Sequence, residues 1–243
     1  MSARVSELAM KVAGFRRGDS VSHMFYLHGF ASSPQSSKSS FLSARLAQYG
    51  VTLKCPDLNE PDFSTLTVTR MIEQVEAMLV QLPPRPVAVF GSSLGAFVAL
   101  HLVERLAHSK ALDRVQVRQL VLLAPALEFG TNRTGVRDDL LHWKETGWLQ
   151  VEHYAYGDTR KVHYKLLEDA RRYDSFAAVN TVPTLIVQGR RDDVVDPDMV
   201  ERFSLSRSHV RFVMVDDGHQ LGESLEHVWA ESREFLSLPR PSL

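Results

Sequence analysis

A chain of 243 residues, with 44% hydrophobic and 23% charged side chains, is long enough to bury one sizeable core. Its net charge of −1 and its apolar runs, all shorter than the roughly 20 residues of a membrane span, argue against nucleic-acid and membrane partners. The start of the chain lacks the apolar core of a signal peptide, and the single cysteine, Cys55, excludes an intramolecular disulfide. We therefore expect a reducing, cytoplasmic location.

In chain order, apolar runs typical of buried strands alternate with helical patterns. Residues 1–20 are polar and predict at most one short edge strand. Buried strands are predicted at residues 23–27, 51–56, 86–90, 119–124, 183–189 and 210–215. Helices are predicted at residues 41–48, 68–82 and 94–106. Another helix is predicted after an N-cap at Asp196, with Pro197 as its first residue. The last predicted helix carries an apolar face made of Leu221, Leu225, Val228, Trp229 and Leu236. This alternation predicts a mostly parallel, doubly wound α/β sheet in a single domain of residues 1–243.

The alternation breaks between residues 128 and 178, where charged and aromatic side chains replace the apolar runs. Within this stretch, Gly157 and Asp158 separate residues 151–156 from residues 160–164, which predicts a small hairpin. We interpret residues 128–178 as an insertion between two sheet strands that forms a cap over a functional site. The alternative interpretation is a structural excursion at the edge of the sheet.

The pentapeptide Gly91–Gly95 reads Gly-Ser-Ser-Leu-Gly and falls where a strand is expected to turn into a buried helix. A tight strand-to-helix turn holds its central residue in a strained conformation and lifts that side chain clear of the sheet. Glycines at both ends let backbones approach closely where a Cβ would clash. The central residue is Ser93, so its hydroxyl is the candidate nucleophile.

A serine nucleophile needs a base that accepts its proton, and a histidine base needs a carboxylate that fixes its tautomer. In a doubly wound sheet, such residues collect on loops at the carboxyl ends of strands. Asp192 and Asp193 follow the strand that closes at Gly189, and His219 follows the last strand. The order Ser93, then Asp192 or Asp193, then His219 is the order expected for a nucleophile on a strand-to-helix turn.

With these motifs, the chain resembles the α/β-hydrolase superfamily along nearly its whole length. Residues 21–34, which include Leu-His-Gly-Phe-Ala-Ser-Ser-Pro, and the Gly-Ser-Ser-Leu-Gly turn resemble more narrowly the small bacterial esterases of the YqiA type. The superfamily's acid lies in a pattern like G-x-x-D-x-V-V, and residues 189–195 place it at Asp192, with Asp193 as the alternative. The resemblance implies hydrolysis of a small to medium carboxylic ester or thioester without a cofactor.

Acyl transfer also needs two preorganised donors for the oxyanion of the tetrahedral intermediate. One is expected to be the backbone N–H of Leu94, which follows the nucleophile at a helix N-terminus. Resemblance to an H-G-x pattern implies that the other is the N–H of Phe30, and that His28 buttresses this loop rather than acting as a second base. Asp216 and Asp217, just before His219, are interpreted as carboxylates that cap the loop.

Some features allow more than one interpretation. The serine-rich segment 31–40 predicts a loop that caps the following helix; alternatively, Ser36, Ser37 or Lys38 faces the substrate. The remaining histidines lack metal-binding spacing, so no metal or cofactor is expected. The expected partner is a small-molecule ester, and the oligomeric state is left open. A function of another class is a hydrolase-fold ligand-binding protein with slow or incidental turnover, against which a complete triad argues.

Overall fold

The computed structural model describes residues 23–83, 85–108, 116–131 and 140–238, so the edge strand expected within residues 1–20 lies outside it. Its strands are β1 His23–Leu27, β2 Leu53–Lys54, β3 Pro86–Ser92, β4 Gln116–Leu123, β5 Trp148–His153, β6 Asp158–His163, β7 Thr184–Gly189 and β8 Val210–Val215. Six of them form a sheet in the order β2-β1-β3-β4-β7-β8, in which all neighbouring strands are parallel. The expected parallel sheet is confirmed.

Helices cover both faces of this sheet. They are α1 Ser37–Ala47, α2 Val68–Val80, α3 Leu94–His108, α4 Leu140–Thr146, α5 Lys165–Ala170, α6 Pro197–Leu205 and α7 Leu225–Phe235. Apolar residues of α1 and α7, such as Leu42 and Trp229, bury one face of the sheet. Residues of α2, α3 and α6, such as Ile72, Phe97 and Phe203, bury the other face. The chain therefore has the doubly wound arrangement that the continuous apolar strands predict.

Helix α1 begins four residues earlier than expected. The prediction placed its start near Phe41, whereas the helix starts at Ser37. The reason is a cap: the side chain of Ser36 accepts a hydrogen bond from the N–H of Ser39 at 3.3 Å. This outcome confirms that the serine-rich segment caps a helix, and it also places Lys38 in the first turn of α1.

Two other elements are shorter than expected. The strand predicted at residues 51–56 pairs with β1 over only two residues. It lies at the edge of the sheet, and Pro56 has no N–H with which to extend the pairing. Leu221, expected on the last helix, precedes α7 with a φ of 52°. Its side chain is buried all the same, so its apolar character reflects a packed loop rather than a helical face.

The insertion contains the expected hairpin, shifted by a few residues: β5 pairs antiparallel with β6 around a turn at residues 154–157. Buried side chains of the insertion, among them Trp143 and Leu167, join the apolar cluster of α2 and α3. Helix α5 is also bonded to α2, because the Asp169 carboxylate accepts from the N–H and the hydroxyl of Thr69 at 2.6 and 2.7 Å. The described part of the insertion is thus packed against the helices that cover the sheet.

Candidate active site

Ser93 lies between the last residue of β3 and the first residue of α3, as the pentapeptide predicts. Its φ is 53°, a left-handed conformation that costs a residue with a Cβ roughly 1–3 kcal/mol. The surrounding backbone holds this conformation: its N–H donates to the Leu123 carbonyl at 2.9 Å, and its own carbonyl accepts from the N–H of Ala96 at 3.0 Å. Ser93 therefore occupies a strained strand-to-helix turn.

The two glycines of the pentapeptide are required by close backbone contacts. A Cβ on Gly91 would lie 2.6 Å from the Cα of Ala96 in the first turn of α3. A Cβ on Gly95 would collide with the carbonyl oxygen of Leu27 at the end of β1. Both neighbours are backbone atoms that cannot move without shifting a strand or a helix. The Gly-x-Ser-x-Gly pattern is therefore the sequence consequence of packing α3 directly against β1 and β3.

The structure brings Ser93, His219 and Asp192 together. The His219 Nε2 atom lies 3.0 Å from the Ser93 hydroxyl oxygen, and its Nδ1 atom lies 2.9 Å from Oδ2 of Asp192. A carboxylate only accepts, so Nδ1–H donates to it, and Nε2 is left to accept from the serine hydroxyl. Asp193, the alternative acid, has an exposed side chain on the outside of the same turn. The arrangement can move a proton from a serine hydroxyl to an imidazole that a carboxylate orients.

The Asp192 carboxylate is fully buried and receives hydrogen bonds on both oxygens. Oδ1 accepts from the N–H groups of Val194 and Val195 at 2.9 and 2.8 Å, and Oδ2 accepts from the side-chain amide of Gln188 at 2.8 Å. Burial by itself raises the pKa of this carboxyl, but hydrogen bonds from His219 and from the Val195 N–H lower it below its ordinary value. Asp192 is therefore an anion at neutral pH, held in one orientation.

We call residues 216–222, which carry His219, the base loop. The Asp217 carboxylate caps this loop, as expected, by accepting from the N–H groups of Gly218 at 2.7 Å and of Glu223 and Ser224 at 2.9 Å each. The loop reaches the carboxylate of Asp192 because β7 and β8 are neighbours in the sheet. His219 is thus placed by strand order and by a buried carboxylate two residues before it.

Gly189 lets the base loop approach β7, and we expect Gly189→Ala to lower the free energy of unfolding by about 1–3 kcal/mol. The new Cβ would lie 2.6 Å from the carbonyl oxygens of both Asp217 and Gly218. The lower entropy of the unfolded alanine chain returns only about 0.4–1 kcal/mol. Urea unfolding measures the difference. The matched control is Gly222→Ala in the same loop, where a Cβ meets nothing within 4 Å; equal stabilities of the two variants would contradict the prediction.

The two residues expected to supply oxyanion donors belong to chain segments beside Ser93. Leu94 is the first residue of α3, and Phe30 belongs to the loop after β1. This loop touches the serine, since a Cβ built on Gly29 would lie 3.4 Å from the Ser93 Cβ. In the described part of the chain, neither N–H has a protein acceptor within hydrogen-bonding distance. Neither donor is therefore already used by another described residue.

His28 buttresses the loop that carries Phe30. Its Nδ1 lies 2.9 Å from the Gly29 carbonyl, and its Nε2 accepts from the N–H of Leu58 at 3.0 Å. The Asp57 carboxylate lies 3.4 Å from Nε2 and accepts from the N–H of Asn59 at 3.0 Å. These contacts support the structural interpretation of His28. Asp57 was not anticipated, because nothing in the sequence marks an aspartate beyond a two-residue edge strand as a partner of that histidine.

The β5–β6 hairpin reaches the same segment of chain. The Tyr156 hydroxyl donates to Oδ2 of Asp57 at 3.1 Å, and the ring of His153 packs edge-on against Phe63 at 5.0 Å. Phe63 in turn contacts the ring of Phe30, with centroids 5.5 Å apart. A line of aromatic side chains thus runs from the insertion to the loop that lies against Ser93.

Another histidine, His101, is a buried core residue. Its ring packs against Phe97 and Tyr173, with centroids 4.5 and 5.2 Å away, and its Nε2 lies 3.2 Å from the Ser175 hydroxyl. Burial lowers the pKa of His101 to about 4, so it is neutral at physiological pH. Among the described residues, no group of three or more His, Cys, Asp or Glu side chains is arranged to hold a metal ion, and no helix has the length and apolar character to cross a membrane.

Comparison with solved structures finds this fold in other proteins. A putative hydrolase from Agrobacterium vitis S4 has a TM-score of 0.75 and 22% identity, covering 88% of this chain and 87% of that chain. Est1E from Butyrivibrio proteoclasticus, solved with ferulic acid bound, has a TM-score of 0.69 and 19% identity, covering 91% and 90%. A putative hydrolase of the α/β superfamily from Xanthomonas campestris pv. campestris has a TM-score of 0.52 and 24% identity, covering 89% and 97%.

At these identities the likeness shows the fold, which is the α/β-hydrolase fold that the sequence motifs imply. A comparison with curated protein sequences gave no match. A family model does match, over residues 23–235, which is nearly all of the chain that the structure describes. The chain therefore belongs to the uncharacterised protein family UPF0227, in agreement with its resemblance to YqiA-type proteins.

Proposed function

We propose that this protein is a serine hydrolase that cleaves a carboxylic ester through an acyl-enzyme intermediate. The observation that carries the proposal is the continuous hydrogen-bonded chain from the Ser93 hydroxyl through His219 to the buried carboxylate of Asp192. Ser93 sits on a strained turn at the start of a helix, and the N–H groups of Phe30 and Leu94 have no acceptor among the residues that the structure describes. A serine that formed only a structural hydrogen bond would need neither a strained backbone nor a histidine with a buried carboxylate behind it.

In the proposed mechanism, the Ser93 oxygen attacks the ester carbonyl carbon while its proton passes to Nε2 of His219. The carbonyl oxygen becomes an oxyanion and accepts from the N–H groups of Phe30 and Leu94. The imidazolium, stabilised by Asp192, then gives its proton to the departing alcohol oxygen, and an acyl-serine remains. Water, deprotonated by the same imidazole, attacks this acyl group, and proton return to Ser93 releases the carboxylic acid.

We further propose that residues 128–178 cap this site and that the acyl group is apolar or aromatic. The hairpin contacts the segment that supports the loop of Phe30, and Phe30 itself packs against Phe63. Est1E, which has the same fold, is described with ferulic acid bound, and an aromatic acid of this kind suits an aromatic surface. A thioester of similar size would be cleaved by the same groups.

A fluorophosphonate probe tests this proposal without knowledge of the substrate, because such a probe reacts with an activated serine. We expect intact-mass measurement to show one phosphonyl adduct on the wild-type protein and none on Ser93→Ala. A second serine in the same turn, Ser92, provides the control: Ser92→Ala keeps the adduct. A series of p-nitrophenyl esters then ranks acyl chains.

The same experiment separates the proposal from a ligand-binding function. A folded wild-type protein that gains no adduct, and that hydrolyses none of the p-nitrophenyl esters, would refute the hydrolase proposal. Saturable binding of an apolar acid or ester to that unreactive protein would favour a hydrolase-fold binding protein instead. An adduct that persists in Ser93→Ala would assign the reactive hydroxyl to another residue and would equally refute the mechanism.

A further inference from the structure

Lys38 is a buried cation that the proposed mechanism does not use. It lies in the first turn of α1, and only 6% of its surface is exposed. Its Nζ atom donates to the backbone carbonyl of Gln220 at 2.7 Å and to the side-chain oxygen of the same residue at 3.1 Å. These two bonds join α1 to the base loop, 182 residues further along the chain.

This position is unfavourable for an ammonium group in two ways. Burial lowers the pKa of Lys38 to about 8, although the Asp217 and Asp192 carboxylates favour its charged form. The first turn of a helix also carries partial positive charge, which repels a cation. A lysine that only kept the surface soluble would extend its ammonium into water instead. The placement of Lys38 therefore needs an explanation in what it binds.

What Lys38 binds is the residue after the proposed base. Before His219, the loop is fixed by the Asp217 carboxylate. After it, Leu221 has a φ of 52°, a conformation that costs a non-glycine residue about 1 kcal/mol or more. Gln220 lies between these two points, and Lys38 holds it by its backbone. The lysine thus restrains the loop where relaxation of the strained residue would displace the imidazole.

Hydrogen bonds fix the first turn of α1, from which the Lys38 side chain extends. The hydroxyl of Ser39, the next residue, donates to the carbonyls of Pro34 and Ser36 at 2.7 and 2.8 Å. The side chain of Ser36 caps the helix from the other side. Because the first turn is fixed in this way, a displacement of Gln220 would have to stretch the lysine contact rather than carry the helix with it.

We propose that Lys38 is a positioning residue for His219, whose ammonium group holds the base loop through Gln220 and disfavours protonation of the resting imidazole. The proposal rests on the function proposed above and deepens it. The charged groups that face this ammonium are Asp192 from the loop after β7 and Asp217 from the base loop.

Helix α7, which also packs on α1, adds no uncompensated charge toward Lys38. Its Glu226 carboxylate pairs with Arg45, two turns further along α1. The Asp192 carboxylate lies between the two cations, since it contacts His219 and also favours the charged form of Lys38. Without Lys38, its negative charge is left to the imidazole alone, and a protonated imidazole is favoured. Loss of the Lys38 ammonium is therefore expected to raise the pH at which His219 becomes deprotonated and able to act as a base.

The test compares Lys38→Met, which keeps the length and apolar stem but removes the charge and the donor, with Lys38→Arg, which keeps both. The matched control is Lys54→Met, at an exposed lysine of β2. We measure the second-order rate of fluorophosphonate labelling of Ser93 from pH 5 to 9, the NMR titration of the His219 ring, and urea unfolding. For Lys38→Met we expect labelling at least 10-fold slower at pH 7 and a His219 titration midpoint about 0.5–1 pH unit higher.

Lys38→Arg is expected to keep the midpoint within about 0.3 pH unit of the wild type, and Lys54→Met to match the wild type throughout. A wild-type rate and midpoint in Lys38→Met would overturn the proposal. So would a slower rate with an unchanged midpoint and a matching loss of unfolding free energy, which is the behaviour of a merely structural lysine. If wild-type Ser93 proves unreactive, the proposed function fails, and the His219 titration, which needs no reaction, still decides the role of Lys38.

Discussion

Ser93→Ala is expected to lower kcat for p-nitrophenyl ester hydrolysis by about 10⁴–10⁶-fold, with little change in KM. The variant keeps the proposed oxyanion donors but has no oxygen with which to attack. Because a triad acts as a unit, adding His219→Ala to this variant should cost less than a further 10-fold. Steady-state kinetics on the single and double variants test this. The shared mechanism would be contradicted if the fold-losses of the two single variants multiplied in the double variant. It would also be contradicted if either single variant kept more than about 1% of wild-type activity.

Substitutions at Ser93 are expected to show that its strained backbone conformation lowers the stability of the protein. Ser93 has a φ of 53°, so Ser93→Gly relieves strain of roughly 1–3 kcal/mol and loses about 0.5–1 kcal/mol to the freedom of unfolded glycine. We expect this variant to be inactive and about 1 kcal/mol more stable. Ser93→Ala retains a Cβ and should not gain.

Ser237 supplies the matched control, since it is a serine with a φ of 54°, in an exposed turn after α7. Ser237→Gly should gain the same free energy of unfolding as Ser93→Gly, without any loss of ester hydrolysis. Urea unfolding of both variants makes the comparison. If Ser93→Gly is less stable than the wild type while Ser237→Gly gains, the strain at the turn is not what the backbone angle indicates.

The position of Ser93 could be predicted from the sequence because local requirements and packing requirements coincide there. The strand, the turn and the helix are each encoded in adjacent residues, and the glycines are dictated by contacts within β1, β3 and α3. Asp192 and His219 could be found by a rule of topology, since the carboxyl ends of parallel strands share one edge of the sheet. The sheet itself follows from continuous apolar runs that only a doubly covered sheet can bury.

Features that depend on tertiary contacts could not be predicted in this way. Whether Asp192 or Asp193 faces His219 depends on which side of the loop between β7 and α6 is buried, and a motif argument alone leaves both open. The contact between Lys38 and Gln220 joins residues far apart in the chain, so the hydrophobic periodicity of the sequence does not predict it. The conflict between Lys38 and the helix dipole could not be predicted either, because the sequence placed the start of α1 near Phe41 and not at Ser37.

Asp192→Asn is expected to lower kcat by about 10⁴-fold, whereas Asp193→Asn should change it less than 2-fold. The two substitutions each remove one charge from adjacent residues, but only Asp192 lies 2.9 Å from the Nδ1 of His219. An asparagine amide at that position presents either a donor to Nδ1–H or an oxygen that has lost its charge. The imidazole then no longer has a fixed tautomer or a stabilised cation. Equal activities of the two variants, or a larger loss in Asp193→Asn, would reassign the acid.

The stability of the same pair tests whether Asp192 acts as an anion. An asparagine NH₂ in place of Oδ1 would face the N–H groups of Val194 and Val195, and in place of Oδ2 it would face the Nδ1–H of His219, so either orientation leaves a donor unpaired. Such a mismatch costs about 1–3 kcal/mol of unfolding free energy at neutral pH.

The pH dependence of this difference has a definite sign. The folded pKa of Asp192 lies below its ordinary value, because hydrogen bonds to the carboxylate outweigh the opposing effect of burial. The stability that the carboxylate contributes is therefore complete above the unfolded pKa near 3.9, and it is lost as the pH falls through the folded value. Urea unfolding from pH 7 down to pH 3 should show the wild type and Asp193→Asn losing stability in parallel below about pH 4, while the gap to Asp192→Asn narrows. A gap that stays constant throughout would mean that Asp192 is not held as an anion, and it could not then stabilise an imidazolium.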